Sequence, residues 1–372
     1  MNSLFNIEPE KYWDFTSKYT AIQKKNEIIA RIASNEYIGS EKIDGHYNRT
    51  VINFDGTMRM ESRTKSTVTG EYSDKQFHVP HIAETLKTLP WGTILIGELY
   101  IPNTTSQEAG KILGCKAEKA VQRQEKDYPK MRYYVHDCWF CRGTNLMDMP
   151  YEFRIQKVKE LYDEFLKNNK YIDCANWQSE PTKINELMES VFAHDGEGIV
   201  LVKKTATVAP GKRTAWKTIK VKRELDHHID CFFTGRAKKA TRLYTGKELD
   251  SWKYWEDTKN DKLLPIGDWC KEYDAGQSIE PVTKNYYMGI PGSLEIGVMD
   301  KGEIRPIGFL SGLEDDVKAN YADYAMKPIE VTCMMFTPDG NLRHAKLVRM
   351  RDDIPIEVCP CEKYMGDQEL KS

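Results

Sequence analysis

The sequence predicts an α+β chain in two parts, and three features carry that expectation. Up to about residue 224, apolar strand-like runs alternate with stretches of helical period. Beyond it, strand-like pieces follow one another with little helix between them. The length of 372 residues is enough for two cores. Charged residues at 30% and aromatic residues at 11% fit a globular chain and argue against a disordered one. A formal net charge of −2 means that a polyanionic partner would have to be held by local patches. Nine scattered cysteines, no N-terminal leader pattern and no apolar run of spanning length lead us to expect a cytoplasmic monomer with reduced thiols and no membrane contact.

Residues 8–34 are expected to be helical, with Trp13, Ile22, Ile28, Ile29 and Ile32 on one apolar face. A strand, a turn and a second strand follow: Tyr37-Ile38, then Ser40-Glu41-Lys42-Ile43-Asp44-Gly45, then Thr50-Val51-Ile52-Asn53-Phe54. Asp55-Gly56 marks the tip of a hairpin that leads into Glu61-Ser62-Arg63-Thr64. Residues 93–101 and 131–140 read as apolar strands, each carrying one acid, Glu98 and Asp137, with polar helical stretches between them. Helices are expected over 151–168 and 182–193, before a glycine-flanked acid, Asp195-Gly196-Glu197-Gly198, that opens the strand Ile199-Val200-Leu201-Val202. The basic run 212–223 ends in the alternating Ile219-Lys220-Val221-Lys222. Strand-like pieces at 229–234, 293–299, 304–310 and 329–336 suggest a small barrel or sandwich. The expected boundaries are 1–226 and 227–354, joined near 224–228, with a loose tail over 355–372.

Lys42 is the candidate nucleophile. An unperturbed lysine titrates near ~10.4, so burial and neighbouring cations are expected to free its lone pair. Gly45 is expected to let the backbone approach a ligand. Glu98 and Glu197 sit in or beside apolar strands, where a carboxylate needs a partner; Mg²⁺ or a salt bridge would serve. Lys220 and Lys222, two apart on a strand, share a face on which an anion could lie. Arg63, between two hydroxyl residues, suits phosphate contact. Cys138, Cys141, Cys359 and Cys361 are read as plain thiols and not as a zinc site, since strict alternation puts Cys138 and Cys141 on opposite faces. Residues 212–223, with Lys212 and Arg213, and residues 236–242, with Lys238, Lys239 and Arg242, are candidate patches for a polyanion.

The order Lys-x-Asp-Gly, Ser-Arg-Thr, Gly-Glu-Leu, aromatic-aromatic-x-x-Asp, Asp-Gly-Glu-Gly-Ile-Val and Lys-x-Lys resembles the ATP-dependent DNA ligases. These are covalent nucleotidyltransferases, a group that also contains capping enzymes and RNA ligases. The likeness runs from about Ser40 to Asp353. The compact size and the segment Phe-Thr-Pro-Asp-Gly-Asn-Leu-Arg-His look like the small viral and bacteriophage ligases. The resemblance implies a nucleotidyltransferase domain of ATP-grasp-like antiparallel sheets with helices, followed by a C-terminal OB-fold β-barrel. It implies ATP and Mg²⁺ as cofactors and nicked duplex DNA as substrate. It implies Lys42 as the residue that takes AMP, Ser40 and Glu41 beside the nucleotide, and Arg63 on a phosphate or the ribose edge. Glu98 would hold the ribose or metal, and Glu197 the metal. Lys220 and Lys222 would bind the α-phosphate, and Arg351 would act on the leaving end of the triphosphate. Arg63 would also touch DNA. Two positions depart from the pattern. Tyr47 stands where relatives carry arginine, and Arg49 is expected to take over. His136 stands where relatives stack an aromatic ring on adenine, with Tyr134 as the alternative. A capping guanylyltransferase or an RNA ligase is the competing reading.

Overall fold

The computed structural model describes residues 3–359 except 13–20, 67–68, 195, 215–216, 223–227, 247–248, 270–272, 274–277, 334 and 338–339. Trp13, Asp195, Arg223, the expected boundary at 224–227, Pro338, Asp339, Cys361 and the tail from 360 lie outside the described residues, as do the side chains of Ile22 and Arg213. The chain divides into two compact units, Met1–Arg223 and Glu224–Ser372.

The first unit opens with β1 (Lys11–Tyr12) and α1 (Ala21–Ala33), so the helix expected from residue 8 begins later. Strands β2 (Tyr37–Glu41) and β3 (His46–Ile52) flank the Lys42 turn, followed by β4 (Met58–Lys65) and β5 (Tyr72–Asp74). Then come α2 (Pro80–Leu86), β6 (Thr93–Tyr100), α3 (Ser106–Leu113), α4 (Ala117–Lys126), β7 (Arg132–Cys141) and β8 (Thr144–Asn145). Helix α5 (Tyr151–Leu161) passes into a π-turn over Tyr162–Leu166. Strand β9 (Ile172–Cys174), helix α6 (Pro181–Ala193) and strands β10 (Gly198–Lys203), β11 (Arg213–Thr214) and β12 (Thr218–Lys222) complete the unit.

A seven-stranded sheet in the order β5-β4-β3-β6-β7-β8, with β9 parallel to β7, forms its centre. The β3–β4 hairpin closes as its sequence requires. Asp55 Oδ1 accepts from the Thr57 amide at 2.9 Å, and Gly56 takes φ +81°. One sheet face packs Ile52, Met60, Leu95 and Tyr133 against α2 to α5; the other packs Val51, Ile94, Ile96 and Trp139. A second, antiparallel sheet, β12-β10-β2, is covered by Ile184 and Val191 of α6 and by Ile28 and Ile32 of α1, spacings that put each pair on one helical face. Strand β1 pairs in parallel with β11.

Strand β7 carries two extra residues. Opposite β6 its register jumps between Ile96 and Gly97 and again between Ile94 and Leu95, leaving His136 and Trp139 without partners. Each bulge resets the alternation. Cys138 and Cys141 therefore fall on the same face, in the same core, which corrects the expectation from strict alternation. Cys138 is hydrogen-bonded to Cys141, and burial raises its thiol pKa.

The second unit is built on β13 (His228–Lys238), which leads to a small sheet of β14 (Trp255–Asp257), β15 (Lys262–Leu263) and β16 (Ile279–Pro281). After α7 (Lys284–Tyr287) come β17 (Ser293–Asp300), β18 (Glu303–Leu310), α8 (Asp315–Ala319) and β19 (Pro328–Thr332), then β20 (Met335–Phe336), β21 (Leu342–Arg343) and β22 (Lys346–Met350). The main sheet is antiparallel, in the order β18-β17-β13-β19-β22, over a core of Ile229, Phe233, Ile296, Ile307 and Val331. Residues 355–359 are not loose. Cys359 is buried and its carbonyl accepts from the Met299 amide at 2.9 Å. Among the described residues no helix is long and apolar enough to cross a membrane.

Candidate active site

The site lies within the first unit, where the edge of the small sheet faces the large one. The Lys42 amide donates to the Gly198 carbonyl at 2.8 Å, extending the β2–β10 ladder one residue past β2 and bringing Glu197 beside the lysine. Gly198 pairs with Lys222 across β10–β12 at φ +144°, and a Cβ there would stand 2.0 Å from the Val221 carbonyl oxygen. Only glycine admits that approach. The result is a shared carboxylate. Glu197, 4% exposed at its side chain, is ion-paired with the Lys42 ammonium and, at 3.3 Å, with the Lys222 ammonium. Gly45 also has a packing task. A Cβ there would come 2.8 Å from the Leu99 carbonyl oxygen, so its bareness lets the turn lie against β6, and the residue lines the cleft that runs on from Lys42.

Lys42 lines a pocket together with Ser40, Glu41, Tyr47, Arg63, Glu98 and Lys220, among others, and with Tyr134, His136, Asp137 and Trp139 of β7. Burial raises the Glu41 and Glu98 carboxyls, Glu98 to about 7. Burial, with Lys42 and Arg63 nearby, brings Lys220 down to about 8, and its ammonium lies 4.4 Å from the Tyr12 ring centroid. Burial also pushes the His136 imidazole down to about 4, so the ring is neutral at pH 7. The His136 bulge aims it into the pocket, with Tyr134 also on the lining. Asp137 is held from behind: it accepts from Arg154 at 2.8 and 3.0 Å and from the Trp139 indole at 3.3 Å. Arg154 also donates to the Met149 and Ala206 carbonyls at 2.8 and 2.7 Å.

A wider cleft continues from Lys42, Tyr47, Arg63, Glu98 and Lys220 past Ser62, Lys65 and Lys75 to α3. Most of the residues singled out in the sequence of this unit thus meet around one lysine. Arg49 does not. It is fully buried, ion-paired with Glu61, and donates to the Ile7 carbonyl, with its guanidinium over the Tyr72 ring. It lines neither the pocket nor the cleft, which corrects the expectation that it replaces the missing arginine. That position belongs to Tyr47, whose ring lies 4.5 Å under the Arg63 guanidinium. Sequence reasoning passed over Tyr12 and Arg154, one in a stretch read as helix and the other on a helix whose apolar stripe drew the attention.

Lys212 is exposed. In the second unit, Lys238 and Lys239 are exposed, with the Lys238 ammonium 3.8 Å from the Phe309 ring centroid. Arg242 is instead engaged by Glu256 and Glu280, so its charge is used in holding the small sheet. Arg351 pairs with Asp230 at 2.6 Å and Asp353 at 2.8 Å. No cluster of three or more metal-ligating side chains occurs among the described residues. Glu98 has no ion pair within the described unit, and together with Glu197 it offers the one or two carboxylates that Mg²⁺ takes beside substrate phosphates.

A family model of the ATP dependent DNA ligase domain matches residues 18–222. A DNA ligase of Haloarcula marismortui is 28% identical over 204 residues, 52% of this chain and 33% of the relative. The chain thus spans about a third of the length of the curated relative it matches. Two solved structures share the fold. One, described as "DNA binding with a minimal scaffold: Structure-function analysis of Lig E DNA ligases", has a TM-score of 0.51 at 18% identity, over 85% of this chain and 93% of that one. The other, "Pmar-Lig_PreS3", has a TM-score of 0.56 at 15% identity, over 93% of this chain and 68% of that one.

Proposed function

Because the chain belongs to the ATP-dependent DNA ligase family, we propose that it seals 5′-phosphate/3′-hydroxyl nicks in duplex DNA through a lysyl-AMP intermediate. The observation that carries this reading is the lysine at the pocket mouth, paired with a carboxylate and ringed by Lys220, Lys222 and Arg63. The Lys42 ammonium donates to Glu197, which stands ready to take its proton as Nζ attacks the α-phosphorus of ATP. The Nζ–P bond forms, the bond to the bridging oxygen breaks, and pyrophosphate leaves. Lys220 and Arg63 offset charge on the phosphate oxygens, which is the main demand of phosphoryl-type transfer. Glu98 and Glu197 are the residues that would hold Mg²⁺, which when bound neutralises charge on the leaving pyrophosphate. His136 presents a neutral ring face to adenine, and Ser40 and Glu41 line the same nucleotide pocket. AMP then passes to the 5′-phosphate at the nick, restoring the amine, and the 3′-hydroxyl displaces AMP.

The second unit reads as an OB-fold, and Arg351 is the residue we assign to the leaving end of the triphosphate. Lys212, Lys238 and Lys239 serve as contacts to the DNA backbone, and the protein works as a monomer. Incubation with α-labelled ATP or GTP, followed by a chase with nicked DNA or RNA duplexes, tests the whole. Covalent label from ATP that chases into sealed DNA, and is lost in Lys42→Ala, is the expected result. Label from GTP alone, or sealing confined to RNA, would replace this reading with a capping or RNA-joining one.

A further inference from the structure

We propose that the Tyr47 hydroxyl is a nucleotide-binding group that hydrogen-bonds a sugar hydroxyl of the bound nucleotide beside Glu98. The inference rests on the nucleotidyl-transfer reading and adds a residue to it. Tyr47 stands directly opposite Glu98 in the β3–β6 ladder, so their side chains leave the same face of the sheet as neighbours. It lines both the pocket and the cleft that meets it at Lys42. Its hydroxyl oxygen is buried and has no hydrogen-bond partner among the described residues. A buried hydroxyl without a partner costs stability, and phenylalanine would fill the same space without that cost. The missing partner is therefore one that arrives with the ligand.

The surroundings narrow the ligand group. The Arg63 guanidinium already covers the outer face of the Tyr47 ring at 4.5 Å and supplies the charge that a phosphate needs. The neighbours that interact electrostatically with the Tyr47 hydroxyl include Glu98 and Asp137 as well as Arg63 and Arg49. A neutral hydroxyl with both acids and cations nearby, and Glu98 beside it on the sheet, suits a neutral, bifunctional partner, which can donate to a carboxylate and accept from the phenol. A sugar hydroxyl has that capacity. Arg49, on the same face two residues along, is committed to Glu61 and does not compete.

Single-turnover self-adenylation of the full chain tests this, comparing wild type with Tyr47→Phe on ATP, 2′-deoxy-ATP and 3′-deoxy-ATP. The variant keeps the ring under Arg63 and removes one oxygen. We expect it to label about tenfold more slowly from ATP, the size of one lost hydrogen bond, while its Tm stays level or rises. With the deoxynucleotide that lacks the partner hydroxyl, variant and wild type should react alike, which also says which hydroxyl is bound. Labelling from ATP at the wild-type rate, an equal penalty on all three nucleotides, or a lowered Tm would overturn the inference. A wild-type protein that takes no label from ATP would overturn the ligase reading itself.

Discussion

Arg49 and Arg63 carry the same guanidinium, and burial gives them different work. Arg63 is exposed along the pocket rim, where a phosphate can reach it. Arg49 neutralises Glu61 and ties β3 to the N-terminal segment through the Ile7 carbonyl. Arg49→Ala would leave the Glu61 carboxylate buried with only its longer contact to Arg59 at 3.6 Å, so we expect a loss on the order of 3 kcal/mol in urea unfolding. The molecules that remain folded should keep near-normal adenylation. A loss of adenylation at unchanged stability would return Arg49 to the chemistry. His136 makes a prediction of the opposite sign from an ordinary surface histidine. Its folded value is about 4, below the unfolded ~6.5. Between those values the unfolded chain binds a proton that the folded chain refuses, so stability is full above pH 6.5 and falls as pH drops toward 4. The loss attributable to this ring is of order 1–3 kcal/mol, allowing for the open mouth of the pocket. His136→Phe should remove that acid sensitivity and keep ATP labelling, whereas His136→Ala should weaken labelling. Identical stability–pH curves for wild type and His136→Phe would assign the acid loss elsewhere.

At the scale of elements, the site is made by irregularities in otherwise ordinary strands. Two bulges in β7 turn His136 and Trp139 toward the pocket side, and a single glycine lets β12 press close enough to β10 for Lys222 to reach Glu197. Gly198→Ala would drive a Cβ into the Val221 carbonyl at a φ that other residues avoid. We expect a cost of about 2–4 kcal/mol in thermal melts and a loss of labelling even at temperatures where the variant stays folded. A variant that melts with wild type and labels normally would show that the two strands need no such contact. The elements themselves were legible because period and turn chemistry are local. The hairpin at Asp55-Gly56, the strand pairs and α6 follow from residues within a few positions of one another. The bulges were not legible, since an inserted residue has no signature of its own and alternation is assumed until the partner strand is seen. That is why Cys138 and Cys141 were placed on opposite faces. The opening residues 8–12 misled for a related reason. Lys11 and Tyr12 form a strand only by pairing with Arg213 and Thr214, some two hundred residues away.

At the scale of the whole molecule, a net charge of −2 must coexist with the polyanionic substrate we propose. The motifs around Lys42 were readable as a group because several short patterns in one order constrain each other. The cations proposed to contact DNA were not, since a basic run does not say which charges are already matched. Arg242 illustrates the difference: its guanidinium sits between Glu256 and Glu280, and Lys212, Lys238 and Lys239 remain exposed. Nick affinity should therefore fall steeply as salt rises, each phosphate contact contributing about 0.9 to the slope of log K against log salt. Replacing Lys212, Lys238 or Lys239 with alanine should flatten that slope by about one unit each, with little change in Tm, because exposed cations add little to stability. Arg242→Ala should do the reverse, lowering Tm by freeing two carboxylates and leaving the slope alone. A titration of nicked-duplex binding at several salt concentrations separates the two behaviours. If Arg242→Ala flattens the slope as the lysine variants do, the Glu256 and Glu280 pairs must open on the substrate, and the small sheet becomes part of the DNA surface.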